Sequence, residues 1–316
     1  MRAHQWFPGV RRGLSWVAPG TLVSVSAVTH VNFWGVRGST PCDGHQFDRY
    51  GGNTSCVEVA LEGHDPIVFD LGTGLRNYGD ALEAEGRAEG YRGTVLLSHL
   101  HWDHIQGLPF FAPLAAGGGT VTVIGPHQEE GPLHQVFRRV MSPPYFPITP
   151  EELRGEVAFE AVANDDFALN GAKVRSRWVR HTDPTLGFRV EMEGVSVAYL
   201  SDHGPGTVPD DADDYVPSDV LDLCDGVDLL IHDAQHTADE YELKRSWGHC
   251  TIEYALLVAK EAGARELALF HHCPTHGDDR LDTILRDARE LSARMNGPEV
   301  FAAADGLRHD LRPSNR

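Results

Sequence analysis

The apolar positions of this chain fall in short, regularly spaced bursts rather than long helical stripes. That pattern predicts many strands interleaved with a few helices. Residues 31–34 open as a short strand, and a Gly-Gly-Asn turn at 51–53 feeds an alternating strand ending at Val59. Further strands are expected at 67–70, 94–97, 121–124, 173–179, 186–192, 195–200, 227–233, 265–270 and 300–303. Helices are expected over 75–90, 132–140, 251–263 and 280–295, with another starting near Ile105. Residues 141–147, Met-Ser-Pro-Pro-Tyr-Phe-Pro, cannot form regular structure. No internal repeat or second hydrophobic core is evident, so residues 29–316 read as one domain. Residues 1–28 carry a weak apolar stretch broken at Pro19-Gly20 and read as a disordered extension. The acidic run 210–214 reads as solvated.

The strand at 94–97 runs into Ser98-His99-Leu100-His101-Trp102-Asp103-His104. Four candidate metal ligands thus fall within six residues. His99 and His101 are two apart, so at a strand end they point to the same side. Asp103 and His104 follow where the chain turns. Two adjacent cations are therefore served, one by His99 and His101, the other by Asp103 and His104. Neutral imidazole with carboxylate suits zinc, with manganese and iron as alternatives.

Composition narrows the partners. At 41% apolar and 23% charged, the 316-residue chain supports a sizeable core. Its formal net charge of −19 argues against polymeric nucleic acid, whose binding rests on neutralising phosphates. A small anionic substrate is the expected partner, and a homodimer is the assembly considered. The five cysteines include no CxxC pair, which fits reduced thiols in the cytoplasm. No apolar run approaches the roughly 20 residues of a membrane span.

The segment SHLHWDH at 98–104 resembles the signature of the metallo-β-lactamase-fold metal-dependent hydrolases. FWGVRGSTP at 33–41 and YGGNTSCVEV at 50–59 narrow the likeness. Together they resemble a bacterial branch near the phosphonate-cluster phosphodiesterases, ribonuclease Z and the cyclic-nucleotide phosphodiesterases. The likeness runs from about Val31 to the C-terminus. It implies an α/β fold, an αββα sandwich of two mixed β-sheets flanked by helices, with one sheet from each half of the domain. It also implies a dinuclear site. One metal would sit on His99, His101, His181 and Asp202, the other on Asp103, His104, Asp202 and His271, with Asp202 bridging. His272 is the fallback for His271, because adjacent residues on a strand face opposite ways. Asp70, in Asp-x-Gly-x-Gly, would orient the ligands without binding metal.

In the ribonuclease Z-like enzymes an acidic residue at a strand end supports a histidine that protonates the leaving oxygen. The matching pair here is Asp233 and His249, the acid favouring the proton-donating imidazole. Asp103 would also orient the attacking water. Arg37 is a candidate contact for an anionic substrate, or a solvated loop residue. Tyr145 and Phe146 suit a pocket wall that stacks on a base, or the anchor of a connector. His272 and His276 are further candidates at the substrate. Asp183 reads as a turn residue.

The expected activity is hydrolysis of a small nucleotide or cyclic-nucleotide phosphodiester by a hydroxide bridging two divalent metals. Three alternatives share parts of the site: an RNA 3′-processing endoribonuclease, a lactone or ester hydrolase that would not need His249, and a non-enzymatic metal-binding regulator.

Overall fold

The computed structural model describes residues 28–205 and 215–313. The extension expected over 1–28, except Val28, and the acidic run 210–214 lie outside the described residues. The strands are β1 Thr29–Gly35, β2 Cys56–Leu61, β3 Ile67–Phe69, β4 Arg92–Leu96, β5 Thr120–Pro126, β6 Glu156–Val162 and β7 Asp166–Leu169. They continue with β8 Ala172–Val179, β9 Thr185–Met192, β10 Val195–Leu200, β11 Leu229–Asp233, β12 Glu266–Phe270, β13 Glu299–Ala302 and β14 Arg308–Leu311. Among the described residues they form two seven-stranded mixed sheets, ordered β14-β1-β2-β3-β4-β5-β6 and β13-β12-β11-β10-β9-β8-β7.

Each sheet is antiparallel on one side and parallel on the other. β1 to β3 pair antiparallel and β3 to β6 parallel. β7 to β10 pair antiparallel and β10 to β13 parallel. The parallel strands are the continuous apolar runs of the sequence, because both their faces are covered. Phe33, Val59, Phe69, Leu96, Phe188, Val197, Tyr199, Ile231 and Phe270 meet in the layer between the sheets. Phe69 stacks on Tyr199 at 4.7 Å between centroids and so ties β3 to β10. Full burial of each such side chain stabilises by about 1.5–3 kcal/mol.

The helices are α1 Gly74–Ala84, α2 Trp102–Ile105, α3 Ala112–Ala116, α4 Leu133–Val140, α5 Ser218–Cys224, α6 Ala238–Lys244, α7 Ile252–Glu261 and α8 Asp278–Arg294. Residues of α1, α3 and α4 pack with Val68, Val95 and Val123 on the outer face of the first sheet. Residues of α5, α7 and α8 pack with Leu230, Leu267 and Leu269 on the outer face of the second. The architecture is the expected αββα sandwich.

Several elements differ from the sequence reading. The helix expected to run to residue 90 stops at Ala84, where Gly86 adopts a left-handed φ of 69°. The helix expected from Ile105 is instead the four-residue α2, because Gly107 donates to the Leu71 carbonyl at 2.7 Å and leaves the helix axis. β6, β7 and β14 were not anticipated. β6 and β14 alternate only weakly between buried and exposed positions, as sheet-edge strands do. β14 also crosses back to the first sheet, beside β1, so the halves divide the sheets only as far as β13. No helix among the described residues is long and apolar enough to cross a membrane.

Candidate active site

The sandwich brings the C-terminal ends of the parallel strands to one edge, where α/β sheets gather their polar residues. β3 delivers Asp70, β4 delivers His99 and His101, β10 delivers Asp202, β11 delivers Asp233 and β12 delivers His271. Asp70, Asp202 and His271 each turn out of their strand with left-handed φ values of 60°, 53° and 57°. That turn carries each side chain sideways along the sheet edge.

His99, His101, His181 and Asp202 offer ligand atoms that all lie within 4.8 Å of one another. Asp103, His104, Asp202 and His271 do the same. Asp202 divides its two oxygens between these groups. Its Oδ2 lies 3.6 Å from His99 Nε2 and 3.5 Å from His181 Nε2. Its Oδ1 lies 3.1 Å from His104 Nε2 and 3.0 Å from His271 Nε2. Asp103 Oδ2 sits 3.2 Å from His104 Nε2 and 3.1 Å from His271 Nε2.

This donor set fits divalent cations. His99 Nε2 is buried with no hydrogen-bond partner, yet it faces the Asp202 carboxylate. Burial, then the charge of His104, holds the His99 pKa well below the ordinary value, which favours a neutral ring with a free lone pair. Burial likewise lowers the His181 pKa. Burial opposes ionisation of Asp103 and Asp202, but the surrounding imidazoles, His104 and His271 among them, outweigh it and hold both carboxyls low. Burial also opposes charge on His104 and His271. There the neighbouring carboxylates win and raise both pKa values, that of His271 to about 10. Buried carboxylates at this spacing call for positive charge beside them.

The outer hydrogen bonds set which imidazole nitrogen faces inward. His104 Nδ1 donates to Asp70 Oδ2 at 2.7 Å, leaving Nε2 as the inward atom. His181 Nδ1 donates to the Gly248 carbonyl at 2.9 Å. His101 Nε2 bonds Asp183 Oδ2 at 2.8 Å, so its Nδ1 faces His181 at 3.2 Å. Asp70 is fully buried and also accepts from Ser98 N at 2.7 Å, Ser98 Oγ at 2.9 Å and Tyr199 OH at 2.6 Å. Ser98 Oγ in turn accepts from His99 Nδ1 at 3.0 Å.

Two glycines make these approaches feasible. A Cβ on Gly72 would meet the Asp103 carbonyl oxygen at 2.4 Å, and the Leu71 N–H bonds the His104 carbonyl at 2.8 Å. The Asp-x-Gly-x-Gly loop therefore lies directly on α2. Gly248 has a φ of 84°, and a Cβ there would meet His181 Nδ1 at 2.4 Å.

His249 and Asp233 join the same edge. His249 Nδ1 donates to Asp233 Oδ2 at 2.7 Å and lies 3.9 Å from Asp202 Oδ2. Asp233 Oδ1 accepts from Gln235 N at 3.1 Å and Cys250 N at 3.3 Å. The Cys250 thiol donates to the Asp233 carbonyl at 3.1 Å. Burial opposes the Asp233 charge, but His249 foremost holds this carboxyl low.

Three sequence candidates for substrate contact are placed elsewhere. Arg37 is fully buried, and its guanidinium donates to the carbonyls of Gly51 at 2.7 Å, His276 at 2.7 Å and Cys273 at 3.3 Å. It clamps two loops together and offers no charge to a substrate. His272, the fallback ligand, points away from the site and bonds the Ala303 carbonyl at 2.9 Å. His276 is buried against Glu240 Oε1 at 2.7 Å. Tyr145 and Phe146 line an open cavity with Trp102.

Several contributors escaped the sequence reading. Asp183, read as a turn residue, holds His101. Its signal was a carboxylate two residues beyond His181. Tyr199 was taken only as part of an apolar strand. Ser39, whose N–H bonds Asp103 Oδ2 at 2.7 Å, and Gln235, whose Nε2 bonds Ser39 Oγ at 2.9 Å, had no local signal.

Two mixed sheets with an imidazole–carboxylate centre along one edge define the metallo-β-lactamase-fold hydrolases. The family model described as the beta-lactamase superfamily domain matches residues 67–272, and the chain belongs to that superfamily. Among curated relatives, a protein named ribonuclease Z from Brevibacillus brevis is 28% identical over 270 residues, covering 71% of this chain and 82% of the relative. A ribonuclease Z from Haloferax volcanii is 28% identical over 284 residues, covering 78% and 86%. Among solved structures, the metallo-β-lactamase-fold protein YhfI from Bacillus subtilis superposes with a TM-score of 0.66 at 19% identity, covering 90% of this chain and all of that one. A diphosphatase of the PhnP family gives 0.60 at 20% identity, covering 90% and 98%.

These relatives overturn the expectation that polymeric nucleic acid is an unlikely partner. Proteins named as ribonucleases match this chain over most of its length. Net charge sums over the whole surface, whereas phosphate binding is decided by the local field at the site.

Proposed function

We propose that this chain is a dinuclear phosphodiesterase that cleaves RNA, with His249 as the acid that protonates the leaving oxygen. The observation that carries this reading is the 2.7 Å His249–Asp233 pair beside the Asp202 carboxylate. The names of the curated relatives support RNA as the substrate class. His99, His101, His181 and Asp202 would hold one cation, and Asp103, His104, Asp202 and His271 the other. The donor set suits zinc. Bound there, two divalent cations supply Lewis acidity, which activates water and neutralises charge developing on the phosphoryl oxygens.

The chain's own groups do the rest. Asp103, held by the Ser39 N–H, presents its carboxylate to orient the attacking water. Asp233 holds the Nδ1 proton of His249, which leaves Nε2 as the atom to carry a proton to the leaving oxygen. A poor alkoxide leaving group needs such an acid, whereas an activated ester does not. Small cyclic nucleotides carry the same phosphodiester and would be served by the same groups. All five cysteines are unpaired, which supports a cytoplasmic location.

The test compares a short RNA with bis-p-nitrophenyl phosphate, using wild type, His249→Ala and Asp202→Ala with metal content measured. His249→Ala should keep its metal and lose about 10²- to 10⁴-fold in RNA cleavage. It should lose much less with the p-nitrophenyl diester, whose leaving group needs little protonation. Asp202→Ala should lose metal and both activities. Equal losses on both substrates in His249→Ala, or none, would remove the acid role.

A further inference from the structure

The described residues expose seven large apolar side chains, and four of them, Trp102, Phe110, Val140 and Tyr145, line one cavity of about 340 Å³. Monomeric proteins rarely gather exposed apolar surface in this way without a use for it. The position of this cavity suggests the use. Trp102 is 69% exposed and stands between His101 and Asp103, one from each candidate ligand group. The cavity therefore lies against α2, the short helix that carries Asp103 and His104.

Its walls are chiefly aromatic. Tyr145 is 76% exposed, and Phe110 meets Phe146 edge to face at 6.0 Å between centroids. The side-chain amide of Gln106 also lines the cavity and makes no hydrogen bond among the described residues. α4, which contributes Val140, carries Arg138 and Arg139 in its last turn. Arg139 bonds only the Glu130 carbonyl among the described residues, so no carboxylate neutralises its charge. Flat aromatic faces and one free amide fit a planar, hydrogen-bonding ring.

We propose that this cavity is a nucleobase subsite, which receives an unpaired base next to the scissile phosphate. The base stacks on Trp102 and Tyr145, and Gln106 meets its polar edge. This inference rests on the phosphodiesterase reading for the phosphate beside it. It makes the substrate a nucleotide with a free base rather than a fully paired duplex end.

Calorimetric binding of adenosine 5′-monophosphate and ribose 5-phosphate to the metal-loaded protein tests it. Both are monoesters, so a diesterase leaves them intact, and they differ only in the base. The nucleotide should bind about five- to a hundredfold more tightly, the range expected for one stacked base. Trp102→Ala and Tyr145→Ala should each remove most of that difference, and Trp102→Phe should retain it. Circular dichroism and metal content check that the variants fold. Equal binding of the two ligands by wild type would overturn the subsite. So would decanoate displacing the nucleotide from wild type but failing to bind Trp102→Ala, since the cavity would then be an acyl site. A base preference in a protein that hydrolyses no diester would support the subsite and sink only the proposed reaction.

Discussion

Replacing Asp70 by asparagine tests how the site is held. The carboxylate is fully buried and accepts four hydrogen bonds, three at Oδ2 and one at Oδ1. An amide has a single acceptor oxygen. With that oxygen at the Oδ2 position, its NH₂ faces the Ser98 N–H, and the opposite rotamer faces three donors. At least one buried donor loses its acceptor, at a cost of about 1–3 kcal/mol. The remaining bonds lose their charge assistance, at about 1 kcal/mol each. The total is about 4–6 kcal/mol, which lowers Tm by roughly 6–9 °C in a chain of this size. His104 also keeps at best a neutral acceptor for its Nδ1 proton in place of a carboxylate, so metal affinity should fall about 10- to 100-fold. Urea unfolding measures the first effect, and competition with a chromophoric zinc chelator the second. An Asp70→Asn protein with normal unfolding and normal zinc affinity would refute the argument. A variant that lost stability but bound zinc normally would make Asp70 a packing residue only.

Three further outcomes follow from other parts of the structure. Burial raises the Asp305 pKa to about 6, against bonds from Gly52 and Asn53 that lower it. A carboxyl raised in the folded state stabilises fully below its unfolded pKa, near 3.9. That contribution is lost as pH rises through about 6, so Asp305→Asn should flatten the pH dependence of unfolding between about 4 and 6 and gain about 2 kcal/mol at pH 7. A profile parallel to wild type would contradict this. Arg37→Met should cost about 3–5 kcal/mol in urea unfolding, because three carbonyls lose their donor, while KM for a diester stays unmoved. Stripping metal with a chelator should abolish diester hydrolysis and lower Tm, with both restored by zinc. For a cation present at about 1,000 times its Kd, the lost stability is about 4 kcal/mol.

The sequence made the parallel strands and their terminal ligands readable for one reason. Strands buried on both faces appear as unbroken apolar runs, and the polar residues that end them stand out. His99 to His104, Asp202, Asp233 and His271 all follow such runs. β6 and β14 lie at sheet edges and β7 is a short half-exposed strand, so their patterns were weak. Arg37 was misread because two of its carbonyl partners, Cys273 and His276, lie more than 230 residues away. Ser39 and Gln235 escaped for the same reason. They act on Asp103 through contacts that exist only after the two sheets have closed on each other. Tyr199 looked like core because most of it is core, and only its hydroxyl reaches Asp70.

Of the left-handed turns at Asp70, Asp202 and His271, the last two set stability against turnover. An L-residue in that conformation costs about 1–2 kcal/mol, which glycine avoids. At Asp70 the four buried hydrogen bonds outweigh that cost, but a lineage released from catalysis would relieve it by drifting to glycine at 202 or 271, while its strands and sandwich persisted. The identities at these strand ends then date the loss of function in a descendant. An acid at 202 and an imidazole at 271 mark a chain still selected for its chemistry, and a glycine at either marks a step taken after that selection ended.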